Sequence, residues 1–72
     1  MNEVEVDARG LDRKLAGEIV RRAITISGGC PVTVTVDSGE PEEAVRRAAA
    51  SMKRNVLLKG SGQGFLVLEL VR

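Results

Sequence analysis

The apolar period switches between two and about 3.6 residues along this chain, and the order of the switches limits the folds open to it. Val4, Val6 and Ala8 alternate with Glu3, Glu5 and Asp7, which gives a strand with one buried face. Arg9-Gly10-Leu11 breaks the alternation, and Asp12 follows as a helix N-cap whose carboxylate can accept from backbone N–H groups. Leu15, Ala16, Ile19, Val20, Ala23, Ile24 and Ile26 then recur at helical spacing in one apolar stripe, with Arg13, Lys14, Glu18, Arg21 and Arg22 mostly off it. Gly28-Gly29 ends that helix.

From Pro31 to Asp37 the period returns to two, Val32, Val34 and Val36 alternating with Thr33 and Thr35. Ser38-Gly39-Glu40 is a loop, and Pro41 suits the first turn of a second helix. Ala44, Val45, Ala48, Ala49 and Met52 form its stripe. Glu40, Glu42 and Glu43 at its start and Lys53 and Arg54 at its end complement its dipole. Asn55 to Lys59 is a third strand, Gly60-Ser61-Gly62-Gln63-Gly64 a flexible turn, and Phe65 to Val71 a fourth strand closing a hairpin. The order is βαβαββ. The expected fold is a two-layer α/β (α+β) sandwich, a four-stranded mixed sheet with two helices on one face, formed by residues 1–72 as a single domain. Glu3, Glu5, Thr33, Thr35 and Glu69 fit the open face of that sheet, and Phe65 and Val67 offer a contact surface there.

Composition narrows the function classes. The chain has no histidine and one cysteine, which removes the usual general base near neutral pH and any zinc constellation, and leaves too few reactive groups for a self-sufficient enzyme. No cofactor and no metal are expected. A lone cysteine makes no internal disulfide, so a reducing cytoplasm is the simplest location. The acidic opening Met1-Asn2-Glu3 is not a secretory pattern, and the apolar runs are far shorter than the ~20 residues of a membrane span. A net charge of +1 and a single aromatic, Phe65, argue against nucleic acid, which asks for basic surface and stacking platforms.

The residues Asp7-Ala8-Arg9-Gly10-Leu11, in a loop between a strand and a helix, resemble the TusA/SirA/YedF family of small sulfur-carrier proteins. Val34-Thr35-Val36-Asp37 is similar to that family's strand ending in Asp. Glu42-Glu43-Ala44-Val45-Arg46-Arg47 and Gly64-Phe65-Leu66-Val67-Leu68 are similar to its second helix and closing strand. The resemblance implies a sulfur carrier whose Cys-Pro-x-Pro cysteine, at the start of the first helix, carries a persulfide to a partner protein. A thiolate there gains from the helix dipole and free N–H groups. Aligned without gaps, Arg13 stands in the cysteine's place within Asp12-Arg13-Lys14-Leu15-Ala16, and neither proline is present. A guanidinium cannot accept sulfur.

Three functions follow as expectations. The first is a degenerate carrier domain of sulfur or selenium metabolism that binds a protein partner, a sulfur-relay component or a second domain, without catalysis of its own. The second is an active thiol carrier using Cys30, which precedes Pro31 but sits beyond the first helix's C-terminus, where the dipole disfavours thiolate. The bland alternative makes Cys30 a small hydrophobe at a strand start. The third is an RNA- or protein-binding module, by analogy with translation-factor domains of this topology. Arg9, Arg13 and Lys14 can form a weak site for phosphate, sulfate or a partner carboxylate at the first helix start, with Asp7, Gly10 and Asp37 completing the candidate binding set. The alternative there is a solvated helix start capped by Asp12, because Asp7, Asp12 and the glutamates of the second helix share that end. Phe65 and Val67 leave weak homodimerisation open.

Overall fold

Among the described residues, alternating valines and two amphipathic stripes produce six elements: β1 (Val4–Asp7), α1 (Arg13–Ser27), β2 (Val32–Asp37), α2 (Glu40–Ser51), β3 (Asn55–Gly62) and β4 (Phe65–Val71). The computed structural model describes residues 3–72; Met1 and Asn2, with the opening segment read from them, lie outside the described residues. The sheet has strand order β1-β2-β4-β3. β1 runs parallel to β2 with Val4 beside Val32, and β4 runs antiparallel to both β2 and β3. This is the mixed four-stranded sheet under two helices that the period changes predict.

The pleat decides which residues reach the core. Val32, Val34 and Val36 of β2 and Leu68 and Leu70 of β4 are fully buried, and they meet Ala16, Val20, Ala23 and Ile24 of α1 and Val45, Ala48 and Ala49 of α2. Glycine and alanine set how closely the helices approach each other: Gly17 of α1 is buried beside Ala44 of α2. The carboxylate of Asp12 caps α1 by accepting from the Leu15 N–H at 2.9 Å, and Gly28 ends the helix with φ near +70°.

Three expectations are corrected. The segment from Gly60 to Gly62 is strand, not turn: Gly60 pairs with Val67 and Gly62 with Phe65, so only Gln63-Gly64 make the turn. Pairing with β4 imposes the extended backbone where local propensity does not ask for it, and Lys59 is the extra residue of a bulge between Leu58 and Gly60. Lys53 and Arg54 lie beyond the end of α2, and Arg54 turns inward rather than serving that helix's dipole. Finally, the α1 stripe is only half covered. Leu15, Ile19 and Ile26 are exposed, because the sheet ends at β1 on their side.

Candidate functional site

The loop that joins β1 to α1 is built by the chain's own carboxylates. Asp7 ends β1, and its Oδ1 accepts from the backbone N–H of Arg9 at 3.1 Å and from Arg9 Nε at 3.0 Å. Its Oδ2 accepts from Arg9 Nη2 at 3.0 Å, completing a two-pronged guanidinium–carboxylate pair. Asp37 ends the neighbouring strand β2 and accepts from the Gly10 N–H at 2.8 Å, tying the loop to a residue 27 positions away. Gly10 holds φ near +82°, a conformation that side chains with a Cβ resist. The Ala8 N–H donates to Thr35 O at 2.7 Å and Leu11 N–H to Ala8 O at 3.3 Å, so the loop is anchored along its length.

The electrostatics follow from this wiring. The Asp7 carboxyl is held below the usual carboxylate range, first by donation from the Arg9 side chain and next by the Arg9 backbone N–H. The same contacts push Arg9 up. The Arg9 guanidinium also lies 5.6 Å from the centroid of the Phe65 ring, on the open side of the sheet. Arg13, the first residue of α1, reaches instead to Glu40 of α2 at 3.9 Å, with both side chains largely in solvent.

The candidate binding residues are therefore only partly brought together. Asp7, Arg9, Gly10 and Asp37 form one hydrogen-bonded unit. Arg13 and Lys14 stand at the start of the helix layer, while Arg9 is drawn to the sheet's open face by Asp7 and Phe65. Around this end Asp7, Asp12, Asp37 and Glu40 answer Arg9, Arg13 and Lys14, so carboxylates outnumber cations and the Gly10 and Leu15 N–H groups already have protein acceptors. The three cations do not converge into one anion site.

Cys30 is half-buried in the turn between α1 and β2, at the other end of the helix from Arg13. Fifteen residues at 1.5 Å each put about 22 Å of helix between those ends. The Cys30 carbonyl accepts from Arg54 Nη1 at 2.9 Å. Sequence reasoning missed Arg54, which is 8 % exposed and also donates to Leu70 O at 3.2 Å and to Ser27 Oγ at 3.0 Å. A cation beside a helix end looks like surface charge in sequence; only the three acceptors, from distant parts of the chain, reveal its burial.

Among the described residues no group of three Cys, Asp or Glu side chains converges on a metal site, and no helix is long and apolar enough to cross a membrane. No family model, no curated protein and no solved structure matches the chain.

Proposed function

We propose that this chain is a TusA/SirA-like domain without the carrier thiol, a non-catalytic module that binds a protein partner of a cytoplasmic sulfur or selenium relay. The observation that carries this reading is the occupant of the first position of α1. Arg13 stands there, at the end of a loop braced by Asp7 and Asp37, where the resembling family places its sulfur-bearing cysteine. What supports the family reading is the Asp7–Leu11 loop in its place between β1 and α1, followed by the remaining elements in the family's order. A loop this firmly wired, with a cation in place of the nucleophile, retains a shape for recognition and loses the group that reacts.

Incubation with a cysteine desulfurase and cysteine, followed by intact-protein mass spectrometry, tests the reading. The natural chain is expected to gain no sulfur, whereas Arg13→Cys is expected to gain one persulfide at residue 13. Loading of the natural chain at Cys30 would make it an active carrier and overturn the proposal. Failure of Arg13→Cys to load would remove the family's geometry from this loop, and the resemblance with it.

A further inference from the structure

The seam between the two helices gathers cations. Arg13 of α1 reaches Glu40 of α2, and Gly17 meets Ala44, two contacts with the same spacing in sequence. Helices α1 and α2 therefore run side by side in one direction. One turn further on, the same register sets Arg21 beside Ala48, with Arg47 next to it. Lys14 lies on the same side of α1 as Arg21, about 10 Å back along the helix. Because Gly17 has no side chain, the Arg21 guanidinium folds back over the seam: a Cβ at Gly17 would lie 3.9 Å from Arg21 Nη1 and 3.9 Å from Ala44 O.

A hollow of about 340 Å³ opens there, and its rim carries Arg13, Lys14, Arg21 and Arg47 against one carboxylate, Glu18. Glu18 stands on the crest of α1, where it also lines the hollow on the opposite flank. Among the described residues Lys14, Arg21 and Arg47 have no ion-pair partner. The Arg13–Glu40 pair is long, at 3.9 Å, with both side chains largely in solvent. Arg46 makes the contrast. It falls on the side of α2 away from Ala44 and is paired with Glu42 at 2.9 Å. The cation turned away from the cleft is neutralised within the chain, and those at the cleft repel one another across it.

We propose that the cleft between α1 and α2 binds a phosphate chain, held by Lys14, Arg21 and Arg47 with Arg13 at its end. Arg9, drawn to the open face of the sheet, takes no part. The size of the hollow and the density of charge select this ligand. A phosphate chain carries charge on every unit, and its oxygens match the forked donors of arginine. An extended acidic peptide advances about 3.3 Å per residue with alternate side chains pointing away, so about two carboxylates face a cleft of this length. An acidic helix, about 10 Å wide, is too broad to enter it. A nucleic-acid strand would bring bases, and neither helix has an aromatic residue to stack them, the only one being Phe65 of β4. Free polyphosphate and the tail of a nucleoside triphosphate share the chemistry that the cleft reads.

Titration of the ¹⁵N-labelled chain with sodium tripolyphosphate at about 0.15 M salt is expected to shift the amides of Gly17, Arg21 and Arg47 and to leave those of Lys59 and Phe65 in place. Calorimetry then gives the affinity of the variants. Arg21→Gln and Arg47→Gln, both at exposed positions, are each expected to weaken binding at least fivefold with an unchanged circular dichroism spectrum. Glu18→Gln is expected to tighten it, and Arg46→Gln to leave it within about twofold. No shift at Gly17, or an affinity indifferent to Arg21→Gln and Arg47→Gln, overturns the proposal. So does an Arg46→Gln loss as large as that of Arg21→Gln, which would reduce the binding to net charge. Tetraglutamate is expected to bind at least tenfold more weakly than tripolyphosphate, and equal binding overturns the choice of phosphate. ATP is expected to match tripolyphosphate. Binding of ATP, or of a single-stranded oligonucleotide, that is tenfold tighter would mean that bases are received, and overturns it too. Persulfide loading reads residue 13 and Cys30 and is untouched by these outcomes, so the two proposals fail separately.

Discussion

Arg54 joins three distant pieces of the chain through one guanidinium. It follows α2 in sequence, yet its donors end on Ser27, the last residue of α1, on Cys30 just beyond that helix, and on Leu70 of β4. Helix α1 has no basic residue in its own last turn, so Arg54 supplies the positive charge that a helix C-terminus favours. Arg54→Met keeps the stem but takes this donor from two carbonyls, and leaves the Ser27 hydroxyl only its own donation to Ile24 O, in a site with little access to water. A loss of roughly 2–3 kcal/mol in urea unfolding is expected, with Arg54→Lys recovering only part because an ammonium cannot fork. A loss below about 0.5 kcal/mol would mean that water replaces the clamp. Asp7 makes a prediction of another kind. Its carboxyl is depressed in the folded chain, so its stabilising contribution is present above the ordinary carboxylate value of about 4 and disappears as pH falls through the lowered one. Carboxyl ¹³C titration is expected to place the Asp7 midpoint below that ordinary value, and Arg9→Ala to return it there. A midpoint unmoved by the substitution would remove Arg9 as the cause.

At the scale of elements, the β3–β4 hairpin shows how a residue across the sheet replaces local propensity. Gly62 lies opposite Phe65, and a Cβ at Gly62 would collide with the Phe65 ring. The ring covers the glycine and carries the Arg9 guanidinium beside it. Gly62→Ala must push the ring aside. A cost of about 1–3 kcal/mol is expected, together with loss of the ring-current shift on the Gly62 α-protons. Gly60→Ala is the control: open space surrounds that position, so its effect should stay well below that of Gly62→Ala. Equal effects at both glycines would mean that the ring does not rest on Gly62. The same hairpin marks the limit of what the sequence reveals. Strands β1 and β2 and both helices are legible because their apolar residues repeat at the period of the element they form. Residues Gly60 to Gly62 have no such signal, and only β4 makes them extended. In α1 the period is visible, but the width of sheet beneath it is not. Leu15, Ile19 and Ile26 therefore look like core in sequence and lie uncovered beyond the β1 edge. At the loop the stretch from Asp7 to Leu11 is legible as a break between a strand and a helix, but Arg9 reads there as a neighbour of Arg13 and Lys14, not as the partner of Asp7. The separation of Arg9 from Arg13 is not legible, because it depends on Phe65 and Glu40, far along the chain.

Across the whole molecule, a thin core makes each large side chain count. Among the described residues thirteen hydrophobic ones are buried, but Ala8, Ala16, Ala23, Ala48 and Ala49 are among them, and Leu68 and Leu70 are the largest that are fully enclosed. At about 0.05–0.15 kcal/mol per residue, a chain of this length is stable by roughly 4–11 kcal/mol. Leu68 sits on β4, an inner strand, where it pairs with Val34 on one side and Leu58 on the other. Truncating an enclosed leucine to alanine costs about 2–5 kcal/mol, because the small neighbours cannot close the cavity. Leu68→Ala is therefore expected to remove about a fifth of the total at the least, and about half at the middle of both ranges, and to lower the urea midpoint in proportion, with the slope of the transition unchanged. Leu58 points to the same side of the sheet from the edge strand β3 but is 59 % exposed, so Leu58→Ala should cost about 1 kcal/mol or less. The pair differs in cover, not in chemistry. If the two substitutions shifted the midpoint equally, the helices would have to extend over β3 as fully as over β4. The edge position that leaves Leu58 open would then not decide its energetics.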